Sequence, residues 1–485
     1  MQRARESKLA FNLRRLSRTI RLMLSNRLSL VGLILLFVFV TAALVAPLTY
    51  PRNPQGVIVG AQRAQPEWVM LFPEGYYLSK NIVVVNDPGF SAPSSLQEWS
   101  YKSSGAQASL ISFSRSSTAP TSLGHSLQIS SDSTSNVTAD VTKTFYYPYR
   151  GSPAQFQTDA VGGTLEAMAV GVSTSQPALV KFFVNREDKS YTLWAVNLTQ
   201  NGSWQTPTNG LAQSLSQGGL SPAETIFSGI SNYTFGVQVT LNGPGSVYVS
   251  NLGLLLFGSA YGLMGTDSFG YDLFAQDVYG ARISLLVGLL AAFIGIFLGL
   301  FVGLIAGYKS GLTDEVLMRF TDMMLVIPAL PLLLVLVAVL GPSLINIIIL
   351  IGFLGWMGFA RVIRSQILSL KERPFIEAAK AAGAGTRRIL SSHIFPNVVS
   401  LTYVNLALAV PGAIITEAAL SFLGLGDPSS PSWGQILSRA QSFGAQRIWW
   451  WVVPPGIAIA LVSLSFVLIG YALDELFNPK LRRRR

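Results

Sequence analysis

Six long apolar runs constrain the fold of this chain more than any other feature of its sequence. A helix needs roughly 20 apolar residues to cross the hydrocarbon core of a bilayer, which is about 30 Å thick. Runs that meet this length occupy 28–48, 283–307, 318–340, 343–363, 395–423 and 450–473. Backbone groups in lipid must be hydrogen-bonded within the chain, so the runs predict an all-α polytopic membrane domain with six transmembrane helices.

Composition and the details of two runs support this prediction. Hydrophobic residues make up 50% of the 485 residues and charged residues only 12%, against about 25% charged in soluble domains. The first run exceeds the apolar core of about 7–15 residues of a secretory signal peptide, so we interpret it as an uncleaved anchor. The fifth run has Pro411 and Gly412 at its middle, which predicts a tilted or broken helix.

The positions of the basic residues predict the orientation of the chain. The formal net charge is +11, but residues 51–258 are nearly neutral, with 10 Lys/Arg against 11 Asp/Glu. Basic clusters lie at 1–27, 361–393 and 480–485, where they flank apolar runs in the positive-inside pattern. We therefore expect a multi-pass protein of the cell membrane with cytoplasmic termini and an extracellular segment, and no nucleic-acid partner.

The outer segment, 51–258, has a different character, being rich in Ser, Thr, Asn, Gly and aromatic residues. Short alternating runs separated by turn residues predict strands. One predicted hairpin joins 178–185 to 190–199, and another joins 235–241 to 246–257 through the turn 242–245. These patterns predict an inserted all-β domain, a β-sandwich of the jelly-roll kind.

Four Asn-x-Ser/Thr sequons begin in this segment, at Asn136, Asn197, Asn201 and Asn232. They are consistent with an exposed outer domain that carries glycans. Chance occurrence in a Ser/Thr-rich sequence explains them equally well.

The predicted organisation has five parts. A basic cytoplasmic segment covers 1–27 and the first transmembrane helix covers 28–50. An extracellular β-rich insertion covers 51–258, and a transmembrane domain with five helices, which includes the loop 364–393, covers 259–479. A basic cytoplasmic tail, 480–485, ends the sequence.

The inner loop between the fourth and fifth runs, 364–393, has the pattern of a short helix. Pro374 is suited to the first helical position, and the residues after it are mostly strong helix formers. Gly383 can take the left-handed conformation that ends a helix, and Thr386 is a candidate cap for the next one. The loop is therefore predicted to carry a short helix whose small alanine faces let another protein approach closely.

This loop resembles the EAA loop of ABC-importer permeases, the coupling helix that docks in a groove on the ATPase subunit. Glu377-Ala378-Ala379 followed by Gly383 has the core spacing of that family. An ordinary amphipathic inner helix is the alternative interpretation. A second triplet, Glu417-Ala418-Ala419, lies inside an apolar run and lacks the glycine. The resemblance assigns ATPase coupling to Pro374, Phe375, Glu377, Ala378, Ala379, Gly383, Arg387 and Pro396.

Other strings resemble the dipeptide/oligopeptide permeases, and specifically the second of their two permease types. They are 265–272, 279–285, 420–426, 431–434 and 474–482. Tyr271 stands where the family usually has Arg, and Asn478 where it has Asp. The resemblance covers 14–48 and roughly 263–485, and it explains nothing of the large outer segment.

The resemblance implies the type I permease fold of ABC importers and a division of labour among subunits. It implies a heterodimer with a second permease, two cytoplasmic ATPase subunits that bind ATP and Mg, and an extracellular substrate-binding protein. The chain itself is expected to be a non-catalytic importer subunit for di- and oligopeptides, without a cofactor or catalytic residue. It has no Gly-x-x-x-x-Gly-Lys-Ser/Thr loop, the motif that cradles nucleotide phosphates. The string 215–219, Leu-Ser-Gln-Gly-Gly, has the wrong order for an ABC signature, and we interpret the similarity as accidental.

The sequence also argues against a metal site. There is no cysteine, and the two histidines are His125 and His393. Thiolate ligands are therefore impossible and a histidine-based site is not expected.

Charged residues near the apolar runs are candidates for a translocation path. Arg319 and Asp322 lie three residues apart, as in a local helical pair. Glu417 either lines the path or satisfies polar groups of a neighbouring helix. Asp267 and Asp272 either shape the outer mouth or cap a surface helix, and we expect the second. The run 449–451, Trp-Trp-Trp, is typical of an interfacial aromatic belt.

Other functions remain open at this stage. The same transporter role for oligosaccharides, with the outer domain as a docking or sugar-binding module, is the main alternative. A membrane enzyme would use outer acids such as Asp159, Glu166, Glu187 and Asp188 in glycoside chemistry. A secondary transporter would have internal repeats, and none is evident in the sequence.

Overall fold

The structure is a computed structural model that describes residues 24, 26–50, 53–119, 124–157, 169–174, 176–199, 204–206 and 221–477. Within these residues the chain forms two compact units. One draws on Met1–Arg52 and Ala275–Arg485, and the other is Asn53–Phe274. Several predicted features lie outside the described residues: the sequon Asn201, the acids Asp159 and Glu166, the string 215–219, and most of both basic ends.

The unit Asn53–Phe274, called the outer unit after its predicted side of the membrane, is a β-sandwich, as predicted. Helix α1, Arg27–Thr49, precedes it. The strands of the outer unit are β1 Ile82–Val83, β2 Ser100–Gly105, β3 Ile111–Ser116, β4 Ser126–Ser131, β5 Val137–Tyr147, β6 Gln155–Gln157, β7 Ala169–Thr174, β8 Ala178–Arg186, β9 Lys189–Leu198, β10 Ser231–Leu241, β11 Gly245–Ser250 and β12 Leu255–Phe257. A short helix, α2, covers Pro222–Ile226.

Two antiparallel sheets form the sandwich. The five-stranded sheet has the order β2-β5-β10-β8-β9, and the four-stranded sheet has the order β3-β4-β11-β7. Inward residues such as Val141, Phe182 and Val237 of the first sheet share one core with Leu127 and Val247 of the second. The alternation of the strands therefore buries one face of each sheet. A third sheet, of order β1-β12-β6, adds a smaller layer.

One predicted hairpin is confirmed and the other is wrong. Strands β8 and β9 pair around a tight turn at Glu187 and Asp188, both of which are exposed. Strand β10 instead pairs with β5 and β8, whereas β11 pairs with β4 and β7. The connection 242–244 thus crosses from one sheet to the other. Sequence alternation cannot distinguish such a crossing from a hairpin turn.

The outer unit extends beyond Gly258, the predicted boundary, as far as Phe274. The backbone N–H of Val59 donates to Gly270 O at 2.9 Å. Ala64 N–H donates to Thr266 Oγ1 at 2.8 Å, and Thr266 N–H returns a bond to Ala64 O. The residues just before the second span therefore complete the base of the β unit, which places the boundary at the start of that helix.

The membrane unit is all-α, and its described helices account for five spans, or six if a bent pair is one span. After α1 they are α3 Leu273–Lys309, α4 Gly311–Val326, α5 Ala329–Leu340, α6 Leu344–Leu354, α7 Met357–Lys371, α8 Pro374–Ala381, α9 Thr386–Ile389, α10 Phe395–Leu420, α11 Trp433–Ser442 and α12 Trp449–Phe477. Five helical stretches of the described residues are long and apolar enough to span a bilayer, and the bent pair α4–α5 is a sixth when it is counted as one span. The chain is therefore a multi-pass membrane protein.

The third and fifth spans differ from their predictions. The third is two helices, α4 and α5, that meet at an 85° bend. Pro328 lies directly before α5, two residues after the end of α4, and a proline N atom cannot continue the hydrogen-bond pattern of a helix. In the fifth span, α10 runs unbroken through Pro411. Its irregular turns are π-helical and lie at its two ends, at Leu390–Ile394 and Ser421–Leu425.

A stripe of four glycines brings α3 against the fourth span. They recur every four residues on α3, at Gly295, Gly299, Gly303 and Gly307. A Cβ atom on Gly299 would lie 2.6 Å from Trp356 O, and one on Gly303 would lie 2.7 Å from Ala360 O. Small residues with this spacing let membrane helices approach closely enough for backbone contact.

Gly299→Ala is expected to destabilise the membrane unit because the new methyl group meets a carbonyl that cannot move independently of α7. Overpacking of this kind costs about 1–3 kcal/mol, more than the roughly 1 kcal/mol that alanine gains over glycine in helix propensity. Thermal unfolding of the purified protein in detergent measures the loss. Gly358→Ala on α7 is the control, since nothing lies within 4 Å of its Cβ position. Equal stability of the two variants would contradict the close packing.

Candidate functional site

Helix α8 forms in the loop 364–393, where the sequence predicts a short helix. Pro374 is its first residue, where its missing N–H costs nothing. Gly383 has φ of 80° and ends the helix. Its N–H donates to Lys380 O at 2.9 Å, while Ala384 N–H donates to Ala379 O at 3.0 Å. These two bonds form a Schellman motif, which confirms that Gly383 terminates the helix.

Ile376 fixes α8 to the neighbouring ends of the fourth and fifth spans. Its side chain is fully buried and packs in one cluster with Ile363 and Ile367 of α7 and with Ile389 and Ile394 beyond α8. The other side chains of this short helix are exposed or half-buried. One anchor therefore joins α8 to both flanking segments. The sequence analysis missed Ile376, although it is the one large aliphatic residue between Pro374 and Gly383.

The opposite face of α8 is open to solvent and has small side chains. Glu377, Ala378 and Ala381 are exposed, and Phe375 is 45% exposed. Glu377 lies in the first turn and Lys380 in the last, each with the sign that the helix dipole favours. This face offers a shallow, close approach to another macromolecule, with one aromatic ring at its edge.

The remaining predicted loop residues lie around this face. Arg387 is exposed in α9, and Pro396 is exposed in the first turn of α10. The prediction that Thr386 caps its helix is wrong. Gly385 is the N-cap of α9, no side chain bonds there, and Thr386 is the first helical residue.

The predicted pairing of Arg319 with Asp322 is also wrong. Arg319 donates to Glu315 Oε1, one turn earlier on α4, at 2.6 Å from Nη2. Asp322 accepts from Arg361 of α7. Residues three apart on a helix point in directions about 60° apart. Because of this difference, Arg319 contacts a residue of α4 itself and Asp322 contacts α7.

Glu417 is buried inside the membrane unit, with 2% of its surface exposed. Its Oε1 accepts hydrogen bonds from Ser421 Oγ and Ser432 Oγ, both at 2.7 Å. Oε2 has no hydrogen-bond partner among the described residues. The geometry agrees with the interpretation that Glu417 satisfies neighbouring polar groups, because Ser432 is the N-cap of α11.

Several strings that the sequence analysis singled out meet in the fold. Trp433 is fully buried; its Nε1–H donates to Asp277 O at 3.0 Å and its N–H to Ser284 Oγ at 3.3 Å. A Cβ on Gly280 would lie 2.7 Å from the Trp433 ring. A Cβ atom on Gly434 would lie 2.6 Å from Ala418 Cα. The strings 279–285 and 431–434 and the triplet at 417 therefore form one packed junction between α3, α10 and α11.

The acidic residues before the second span organise the local backbone. Asp272 Oδ1 accepts from Phe274 N–H at 2.8 Å and so caps α3, which is the second span and not the expected surface helix. Asp267 is fully buried, and its Oδ1 accepts from the N–H groups of Phe269 and Tyr271. Both carboxylates thus serve the turn that leads into the helix.

Asp427 caps another helix from a loop. Burial raises the pKa of this carboxyl, but hydrogen bonds from the side chain and backbone of Ser429 and from Leu344 N–H outweigh it and lower the pKa overall. The bond to Leu344 N, at 3.3 Å, lies at the first turn of α6. The contribution to stability is therefore complete above the unfolded-state pKa and is lost as the pH falls through the lower folded-state value.

An apolar cavity of about 300 Å³ opens in the membrane unit. Its lining includes Gly295 of α3, Leu333 of α5, Ile351 of α6 and Ala413 of α10, with Thr416 as a polar member. Arg319, Asp322 and Glu417 are not among the described residues that line it. Ala329 and Leu333 bring the helix after the 85° bend to its wall.

Comparisons with known proteins match most of the membrane unit. Residues 295–483 match the family described as binding-protein-dependent transport system inner membrane component. Residues 15–66 match the N-terminal transmembrane domain of oligopeptide transport permease C.

Curated relatives agree with these matches. The dipeptide transport system permease protein DppC of Escherichia coli K12 is 44% identical over 227 residues, which are 47% of this chain and 75% of the relative. DppC of Alkalihalophilus pseudofirmus is 43% identical over 225 residues, 46% of this chain and 74% of the relative. The oligopeptide transport system permease protein OppC of Bacillus subtilis is 38% identical over 220 residues, 45% and 72%.

Several solved structures align with part of the chain. One of them, TmCBM61 in complex with β-1,4-galactotriose, covers 36% of this chain at a TM-score of 0.24 and 10% identity. A score this low carries no argument about fold or ligand, so the outer unit is interpreted from its own residues.

Ile376→Ala is expected to loosen α8 because it removes the one buried anchor of the helix. Truncating a buried Ile typically costs about 2–5 kcal/mol, and here the loss falls mainly on local order. Hydrogen–deuterium exchange of a peptide covering Pro374–Ala381 measures it. Phe375→Ala removes a larger but half-exposed neighbour and is the matched control. Unchanged protection in Ile376→Ala would show that the loop is held by other contacts.

Proposed function

Since the chain belongs to the binding-protein-dependent transport permeases, in their dipeptide/oligopeptide branch, we propose that it forms half of the translocation pathway of a peptide importer. The second half is a partner permease of the other type. Two cytoplasmic ATPase subunits bind ATP and Mg and supply the energy, and an extracellular substrate-binding protein delivers the peptide. This chain carries no catalytic step of its own.

The observation that carries the proposal is the construction of α8. It is a short helix that two spans hold through a single buried residue, Ile376, and it presents an exposed face of small residues. A helix held this way moves with α7 and α10 when a partner pushes or pulls on it. We assign coupling to Phe375, Glu377, Ala378 and Arg387 as contact residues. Pro374, Gly383 and Pro396 shape the loop. Ala379 is half-buried, so it contributes both to the contact face and to the shape of the loop.

In the proposed transport cycle, α8 and the spans attached to it move together, first one way and then back. ATP binding brings the two ATPase subunits together, and the docked α8 helices transmit that movement to the spans. The permease pair then changes from an inward-open to an outward-open state, and hydrolysis resets it. Orientation follows from the basic inner loop, with α8 and both termini in the cytoplasm and the β unit outside.

Peptides are the proposed substrate because curated relatives over this region are dipeptide and oligopeptide permeases. The oligosaccharide alternative relied on aromatic residues of the outer domain as stacking platforms. Among its Trp and Tyr side chains, Trp99, Tyr147 and Tyr233 are buried in the sandwich, whereas Trp68, Tyr76, Tyr77 and Tyr146 are exposed. Aromatic content alone therefore does not point to sugar binding, and the peptide assignment depends on the relatives.

We also propose that the outer unit carries glycans at its described sequons. Asn136, Asn197 and Asn232 are all exposed, and two of them lie on strands, β9 and β10. Exposure of every described sequon supports an extracellular location.

Glu377→Lys is expected to uncouple the importer because it reverses the charge at the centre of the docking face. In proteoliposomes with the partner permease, ATPases and binding protein, peptide uptake should fall at least tenfold, the equivalent of about 1.4 kcal/mol. ATP binding by the isolated ATPases should not change. Glu372→Lys, an exposed acid on the same loop but outside α8, is the matched control. Normal uptake by Glu377→Lys would remove the coupling assignment.

Excising the β-sandwich is expected to leave coupling intact, since the proposal places translocation and coupling in the membrane unit. The chain enters and leaves the sandwich side by side, with Val84 N–H bonded to Leu254 O at 3.0 Å. Residues 85–253 can therefore be replaced by a short Gly-Ser linker. The truncated chain should insert, bind the ATPases and support nucleotide-driven cycling at the full rate. Loss of ATPase stimulation in an inserted, assembled complex would contradict this placement.

A further inference from the structure

Helices α4 and α7 are joined by a row of polar contacts, which we call the ladder. It consists of Ser310 with Lys371, Asp314 with Arg364, and Asp322 with Arg361. Residue numbers rise along α4 as they fall along α7, so the helices run antiparallel and the three contacts follow one another. All the acids of the ladder lie on α4 and all its cations lie on α7.

The central pair is the strongest contact of the ladder. Arg364 Nε lies 2.5 Å from Asp314 Oδ1, and Arg364 Nη2 lies 2.6 Å from Asp314 Oδ2. This is the parallel two-bond geometry that fixes a guanidinium on a carboxylate. Asp314 is 9% exposed, so removing Arg364 would leave the Asp314 carboxylate poorly solvated. The exposed pair is Asp322 with Arg361, both of whose side chains are more than half exposed. It contributes less to holding the two helices together.

The ladder connects two parts of the molecule that are otherwise separate in function. Helix α7 ends at Lys371 and α8 begins at Pro374, so α7 is the direct continuation of the proposed coupling helix. Helix α4 ends at the 85° bend and leads into α5. Ala329 and Leu333 of α5 line the apolar cavity.

We propose that the ladder transmits the movement of α8 to the cavity, with Asp314 and Arg364 as positioning residues for transport. The inference rests on the function proposed above and extends it to a specific route: α8, α7, ladder, α4, bend, α5. A displaced α7 carries α4 along because separating them would leave Asp314 and Arg364 unpaired near the inner membrane surface. The bend then turns this displacement into a movement of the cavity wall.

Packing at the far end of the two helices is consistent with this route. Phe320 of α4 stacks on Trp356, just before α7, with ring centroids 6.3 Å apart. Met324 packs in the same cluster with Met357 and Ala360. The apolar end keeps the helices in contact, while the ladder fixes their register, since ion pairs are lost when one helix slides past the other.

The first test is a charge-swap cycle in the complete transporter. Asp314→Asn should lower peptide uptake per ATP hydrolysed by about twofold to thirtyfold, the range of coupling energies for residues between two sites. Assembly with the ATPases should be retained. The double variant Asp314→Arg with Arg364→Asp should recover part of the loss, because the opposite charges face each other again. Failure of recovery in an assembled complex would overturn the proposal.

Controls separate the ladder from general effects. Glu315→Gln removes a neighbouring acid on α4 that pairs with Arg319 and not with α7, and uptake per ATP should stay unchanged. An equal loss in Glu315→Gln would overturn the ladder. Asp322→Asn, at the exposed pair, provides a second variant in case Asp314→Asn does not fold, and a smaller loss is expected. Normal uptake per ATP in that variant, with Asp314→Asn unfolded, would also count against the proposal.

A crosslink tests whether the two helices move together. The chain has no cysteine, so Ser310→Cys with Lys371→Cys can be joined by a short bifunctional maleimide. Uptake should survive the crosslink, because the ladder is proposed to stay closed during the cycle. Loss of uptake on crosslinking, with normal uptake before it, would show that the helices must slide. The Glu377→Lys result is independent, so an intact coupling helix with a failed ladder is recognisable.

Discussion

The close contact of α3 with α7 is the constraint on which the membrane unit depends. Lipid offers no hydrophobic drive to bring helices together, so surface fit decides their packing. The glycines at 295, 299, 303 and 307 let the α3 backbone reach carbonyl oxygens of the fourth span. This contact fixes α7, which in turn carries α8. The position of the docking face therefore follows from a stripe of residues that have no side chain.

Two kinds of interaction build on that contact. Apolar packing around Ile376 ties the loop to the inner ends of the spans, and it tolerates small movements. Charged and polar contacts, the Asp314–Arg364 pair and the Glu417 junction, are directional and desolvated, so they set which helices stay in register. A transporter needs both properties: a flexible attachment for a partner and rigid connections that carry movement to the pathway.

Much of this architecture could be predicted from the sequence, for physical reasons that differ from case to case. Apolar length predicts the spans, and the Pro374 and Gly383 positions predict the ends of α8 because each residue type has few alternatives there. The bend before Ala329 was not predicted, since a proline in an apolar run fits a kinked, broken or straight helix, as Pro411 shows. Pairs such as Asp322 with Arg361 depend on helix rotation, which the sequence alone does not give. The crossing between β10 and β11 likewise depends on which sheets the flanking strands join.

The central claim is that α8 is a cytoplasmic docking helix, and labelling of a single cysteine tests it most directly. The chain has no cysteine, so Ala381→Cys on the exposed face is unique. In intact cells a membrane-impermeant maleimide should leave residue 381 unmodified and should modify a Ser103→Cys variant on β2. In inverted vesicles the accessibility should reverse, and binding of the ATPase subunits should then protect residue 381. Modification of residue 381 from outside the cell, or unchanged labelling with the ATPases bound, would contradict the account.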